Sequence, residues 1–114
     1  MTETNLTLLK GTVDILILAS LGAGAERHGY GIAEWIEETT GGTLLLEEGT
    51  LYPALHRLQR KGLLASSWGT SENNRRARYY RLTAKGESER AEAVEEWDRY
   101  SRAVASALAT GRAG

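Results

Sequence analysis

The 114 residues contain no cysteine, which excludes a disulfide framework and thiolate chemistry at the outset. No apolar run approaches the roughly 18 residues that a bilayer-spanning helix needs, so no membrane span is expected. Histidine is scarce, with only His28 and His56. A metal site or a hydrolytic centre would need a convergent ligand set, or a nucleophile with its base, and no such motif is present. The expectation is a chain without metal, cofactor or catalytic residues. A basic N-terminus followed by a small-residue cleavage site is also missing, since Lys10 and Asp14 bracket the start of the longest apolar stretch. That argues against a signal peptide and for a cytoplasmic protein.

What remains is ordinary for a globular protein of one-domain size, at 41% hydrophobic and 25% charged residues. There are no repeats, no low-complexity segment and no linker long enough to separate domains.

The single proline, Pro53, falls in the most informative segment, Glu48 to Gly62, EGTLYPALHRLQRKG. Leu51, Leu55 and Leu58 recur at i, i+4 and i+7, one side of a helix turned toward a core, while His56, Arg57 and Arg60 fall on other sides. Pro53 is tolerated only in a first turn, which predicts a helix start near Gly49 to Tyr52, and Gly62 should end it. Two β-rich runs follow, LLASSW and RRARYYRL, joined by the polar GTSENN. Alternation places Arg78, Tyr80 and Leu82 on one strand face and Ala77, Tyr79 and Arg81 on the other. Trp35 and Trp68 are assigned to the core, and Tyr79 and Tyr80 to packing within the hairpin.

The segments before and after complete the architecture. Leu6 to Leu21 is apolar on most sides and reads as a buried first helix ended by Gly22 and Gly24. HGYGIAEWIEETTGG carries Ile32, Trp35 and Ile36 at helical spacing and stops at its glycine pair, and Leu44 to Leu46 could form a short strand. Helix, helix, short strand, basic helix and hairpin is the order of a winged helix-turn-helix, in which the second helix of the pair enters the major groove of DNA. From Thr83, a candidate N-cap, to about Leu108 runs a helix with Val94, Trp97, Val104 and Leu108 near one face. It is longer than so small a domain can cover, so the same helix of a second chain should pack on it, and a two-fold dimer would present two basic helices to a pseudo-palindromic site. The expected fold is therefore mainly α with a small β-hairpin. Residues 1–83 would form the winged, DNA-binding domain and residues 84–114 the dimerisation helix with a short tail.

The formal net charge of −1 hides a segregation. Between Thr50 and Arg90 nine basic residues face only three acids, Glu72, Glu87 and Glu89, whereas the remainder holds five basic and twelve acidic residues. A duplex responds to the local field, because interactions decay within a Debye length of about 8 Å at physiological salt.

The segments LLKGTVDILILASLG, HGYGIAEWIEE, EEGTLYPALHRLQRKGLL and NNRRARYYRLTAKG, in this order and spacing, resemble the PadR family of bacterial transcriptional regulators from about Leu6 to Leu108. The single terminal helix is similar to the compact branch that includes multidrug-responsive repressors. Three positions depart from the pattern: Asn74 stands where a glycine often opens the wing motif, Ala77 interrupts a basic run, and Gly31 replaces an acidic residue. The resemblance implies DNA contacts from Tyr30, from Thr50, Tyr52, Pro53, His56 and Arg57, and from Arg75 and Arg76. Arg60 and Arg78 extend that set as further cations of the basic helix and strand.

Chemistry supports these residues unequally. Arg57 has the fork that matches guanine O6 and N7, Thr50 and Tyr52 offer hydroxyls to phosphate or to a base, and Pro53 suits a thymine methyl. His56 is equally accounted for as a solvated helix residue. Arg75 and Arg76 sit at a hairpin tip with two Asn residues, which a solvated loop alone would explain. Yet adjacent cations on a protruding arm suit a phosphate or a narrow minor groove, and phosphate is favoured. The resemblance also implies that Trp97, paired with its dimer mate, could sandwich a flat aromatic compound against a wall of Leu9, Ile15 and Ala93. The alternative is that Trp97 is dimer core. Glu95, Glu96 and Asp98 beside it would favour a planar cation. A winged domain used for protein–protein contact, or a winged-helix regulator of another family, would share the fold; the first has no need of arginines on both helix and wing.

Overall fold

The leucine stripe of the basic helix is where the core forms. In the computed structural model, which describes residues 6–7 and 11–113, Leu51, Leu55 and Leu58 are buried together with Ala54. They meet Ile17, Leu18 and Leu21 of the first helix and Ile32 and Ile36 of the second, with Leu63, Leu64 and Tyr80 closing the core from the hairpin. The elements are β1 (Leu6–Thr7), α1 (Val13–Ser20), β2 (Arg27–His28), α2 (Gly29–Thr39), β3 (Leu44–Leu45), α3 (Glu48–Arg60), β4 (Leu64–Thr70), β5 (Arg76–Leu82) and α4 (Ala84–Ala113). Helices α2 and α3 are the helix-turn-helix pair, α1 braces them, and β4–β5 is the wing.

The first helix is shorter than its apolar pattern predicts. Leu6 and Thr7 form a strand that pairs in parallel with Leu44 and Leu45, and α1 starts only at Val13. An all-round apolar run fits a buried strand as well as a buried helix, and Gly11, at φ +95°, separates the two. Residues 8–10 lie outside the described residues.

Helix α3 begins at Glu48, so Pro53 stands sixth, one residue into the second turn. Glu47 caps the helix through its carbonyl, which accepts the amides of Thr50 and Leu51 at 3.0 and 2.8 Å. The amide that Pro53 lacks would have served Gly49, an exposed residue whose carbonyl water can reach, which keeps the cost small. Gly62 ends the helix as expected: at φ +81° its amide reaches the Gln59 carbonyl while Leu63 reaches Leu58, the paired bonds of a Schellman stop.

The wing is three-stranded. Arg27 and His28 add β2 to the edge of β5, opposite Tyr80 and Tyr79, and β4 pairs on the other side from Leu64↔Leu82 to Thr70↔Arg76. Two residues carry no periodicity, so β2 leaves no trace in the sequence. The alternation within β5 holds near the base, where Tyr80 is buried. Tyr79 donates its hydroxyl to the Thr70 carbonyl at 3.1 Å, as hairpin packing requires. Trp35 packs half-buried against the core, but Trp68 does not: it is 56% exposed. Its face of the hairpin covers core only at the base, and Trp68 lies beyond that cover.

Thr83 caps α4, accepting the Gly86 amide at 3.0 Å and donating its own hydroxyl to the Gly62 carbonyl at 2.6 Å. One threonine therefore ties the start of α4 to the end of α3. The helix continues to Ala113, beyond the expected Leu108.

Candidate nucleic-acid interface

An α-helix turns about 100° per residue, so the buried stripe of α3 leaves a single exposed arc. Tyr52 stands at one edge of it and Arg57 and Thr50 at the other, with His56, Gly49, Arg60 and Pro53 between, all exposed.

The Tyr52 edge faces the wing. A cleft of about 580 Å³ opens there, and Tyr30, Tyr52, Arg75, Arg76 and Arg78 all line it, together with Trp68. The local sequence HGYG explains how Tyr30 and Tyr52 meet. His28 caps α2, its Nδ1 accepting the Gly31 amide at 2.9 Å, which sets Tyr30 outward at 70% exposure. A Cβ on Gly29 would stand 2.8 Å from the Tyr52 hydroxyl oxygen, so only glycine admits that hydroxyl against the start of α2. Burial, and after it the nearby Glu48 carboxylate and Tyr80, raise the Tyr52 hydroxyl above its ordinary pKa. It therefore stays protonated as a donor at neutral pH.

Two carboxylates, Glu34 and Glu72, also line the cleft. Glu72 is engaged: its Oε1 lies 3.4 Å from His28 Nε2, the nitrogen left to carry a proton once Nδ1 accepts from Gly31. His28 thus links the helix pair to the wing tip, with its ring 5.3 Å from that of Tyr79.

At the other edge, Pro53, Arg57 and Arg60 line a second hollow with Lys61. There Arg57 is already partnered, because its Nη2 donates to Asp14 Oδ1 on α1. The pair is solvent-accessible, with the Arg57 side chain 46% exposed, so another anion can displace Asp14 at small cost. Thr50 and His56 are exposed and line neither hollow. The sequence reading gives His28 and Asp14 no role at this surface and places Trp68 in the core. Only Trp68 left a signal, its two-residue alternation with Ser66 and Thr70.

The model of the transcriptional regulator PadR-like family matches residues 17–92. This chain belongs to the PadR-like family. Among solved structures, a transcriptional regulator of Clostridium thermocellum is 33% identical, with a TM-score of 0.74 over 85% of this chain and 90% of that one. A PadR family transcription regulator of Clostridium difficile is 32% identical, with a TM-score of 0.73 over 86% and 99%. An uncharacterised protein of Lysinibacillus sphaericus is 30% identical over 90 residues, 79% of this chain and 82% of its own length. The chain is accordingly a DNA-binding transcriptional regulator.

Within this PadR-like chain, Asn74 adopts a left-handed backbone conformation of the kind that glycine favours. Its φ is +59°, and its amide bonds the Ser71 carbonyl at 2.9 Å inside the wing turn. Asparagine tolerates that left-handed region better than other side chains do. Farther away, α1 and α4 enclose a hollow of about 420 Å³ lined by Gly11, Ile15, Ala93, Glu96, Trp97 and Tyr100. Ile15, Ala93 and Trp97 therefore come together, while Leu9 lies outside the described residues. Val94, Trp97, Val104 and Leu108 stand 42, 44, 38 and 60% exposed along α4, and the family match stops before all four. Among the described residues no helix is long and apolar enough to cross a membrane.

Proposed function

We propose that the chain is a homodimeric transcriptional repressor without enzymatic activity that works in the cytoplasm, reads a pseudo-palindromic DNA site and responds to a planar aromatic ligand. In this reading residues 1–83 bind DNA and residues 84–114 pair the two copies. The observation that carries it is the continuous exposed surface of α3, the start of α2 and the wing, where all ten candidate contacts, Tyr30, Thr50, Tyr52, Pro53, His56, Arg57, Arg60, Arg75, Arg76 and Arg78, stand exposed. Arg57 exchanges Asp14 for a base edge or phosphate on binding.

Fluorescence anisotropy with the duplex upstream of the gene tests this assignment. Arg57→Ala should cost roughly 1–3 kcal/mol on the cognate site and relax preference at one base pair, while Arg76→Ala should weaken all sequences alike. Asp14→Ala should tighten binding roughly three- to tenfold, a gain that vanishes in an Arg57→Ala background. Equal tightening with and without Arg57 would show that Asp14 acts only as a repelling charge.

The ligand reading rests on the hollow around Trp97. Its apolar wall of Ile15 and Ala93 and its Glu96 rim suit a planar cation. Titration with a planar cationic dye should quench tryptophan emission, and Trp97→Ala should abolish dye binding while leaving DNA binding intact. Undiminished dye binding by Trp97→Ala would place the ligand elsewhere.

A further inference from the structure

Trp68 is a large aromatic left 56% exposed in the middle of the wing, and its surroundings are cationic. Arg78 is its direct cross-strand partner and Arg76 the diagonal one, so all three side chains share one sheet face. The guanidinium carbons of Arg76 and Arg78 stand 4.2 and 5.3 Å from the indole ring centroid, both within the range of cation–π attraction. Arg78 is further held through Nε, which donates to Ser66 Oγ at 3.0 Å. The same oxygen accepts from Gln59 Nε2 of α3, also at 3.0 Å. The indole thus acts as a plate that fixes two arginines, and the plate is joined through Ser66 to the basic helix. It lines the 580 Å³ cleft together with the hydroxyl-bearing Tyr30 and Tyr52.

We infer that Trp68 is a DNA-contacting and positioning residue that seats one strand's sugar–phosphate backbone in the cleft between the wing and the N-terminal ends of α2 and α3. The inference rests on the DNA-binding reading of this surface. The cleft's chemistry fits that occupant in each part. A deoxyribose presents C–H groups that pack on an indole face, and flanking phosphates accept from Arg76, Arg78 and the Tyr52 hydroxyl. Arg75, Arg76 and Arg78 outnumber Glu34 and Glu72, and Glu72 is turned to His28. A base-specific role does not suit an indole, whose single N–H donor cannot tell base pairs apart.

The test compares wild type, Trp68→Ala and Trp68→Phe on two probes of equal length, the duplex upstream of the gene and a random-sequence duplex, across a salt series. Trp68→Ala should weaken binding to both probes about tenfold. It should also flatten the log-affinity against log-salt slope by about one, because a phosphate contact made by a loosened arginine is lost. Trp68→Phe, which keeps an aromatic face, should retain most of the affinity, and DNA should quench less tryptophan emission from it than from wild type. An unchanged affinity, slope and quench in both variants, with wild type binding normally, would overturn the inference alone. Should wild type bind neither duplex, the DNA-binding reading itself falls and this inference with it. If Trp68→Ala misfolds, the quench comparison between wild type and Trp68→Phe still decides.

Discussion

Replacing Val104 and Leu108 together with aspartate should convert a dimer into monomers and remove most of the affinity for a two-half-site operator. Helix α4 spans 30 residues, about 45 Å at 1.5 Å per residue, and every residue from Arg102 to Gly111 is exposed. Along it Val94, Trp97, Val104 and Leu108 follow one another at spacings of three, seven and four, the pattern that the seam of a paired helix would have. Each is more than a third exposed in a single copy, as is Tyr100 at 62%. Burying such side chains contributes roughly 1.5–3 kcal/mol each, and two copies do it reciprocally. Two aspartates on the seam would replace that gain with desolvated like charges. Because the second half-site is then no longer bound intramolecularly, operator affinity should fall about 10²- to 10⁴-fold. Sedimentation equilibrium at micromolar concentration checks the first effect and anisotropy the second. A wild-type protein that sediments as a monomer and still binds DNA would contradict the dimer.

Gly86→Ala should be the most damaging glycine-to-alanine change among the described residues. Thr83 draws the first turn of α4 against the end of α3, and Gly86 is the residue at the contact. A Cβ there would lie 2.0 Å from the Leu63 carbonyl oxygen and 3.0 Å from its carbon. Both are backbone atoms, which cannot rotate aside, and Leu63 begins the buried base of the wing. The helix must therefore lift, loosening the Thr83 bonds to Gly62 and Gly86, at a cost of roughly 2–4 kcal/mol. For a domain of this size that lowers Tm by about 10–20 °C. The Gly111→Ala control, with nothing within 4 Å of its added Cβ, should raise stability slightly or leave it unchanged. Thermal unfolding followed by circular dichroism distinguishes them, and equal midpoints would show that α4 does not dock through Gly86.

How much of this was legible depended on the length over which a pattern repeats. Helix α3 was, because three leucines at i, i+4 and i+7 admit one period. So was the family, through GTLYPALHRL and RRARYYRLTAKG. The boundary at the N-terminal side was not, since Leu6 and Thr7 continue an apolar run that serves a strand and a helix equally. Strands of two residues, β1 and β2, have no period at all. The core assignment of Trp68 fails because its exposure depends on how far the wing projects past the domain, a tertiary fact. The Asp14–Arg57 pair joins residues 43 apart on two helices, and nothing local to either announces it. The grouping of Ile15 and Ala93 with Trp97, by contrast, was carried by resemblance alone, and these residues do line one hollow.

The central claim is that the α3 and wing surface binds duplex DNA through its own cations, and one titration tests it most directly. The duplex upstream of the gene is titrated with wild type and with Arg57→Ala across a salt series. Wild type should bind with log affinity falling linearly and steeply against log salt, and Arg57→Ala should bind roughly 5- to 150-fold more weakly. Wild-type affinity in Arg57→Ala together with a salt-independent wild type would contradict the account.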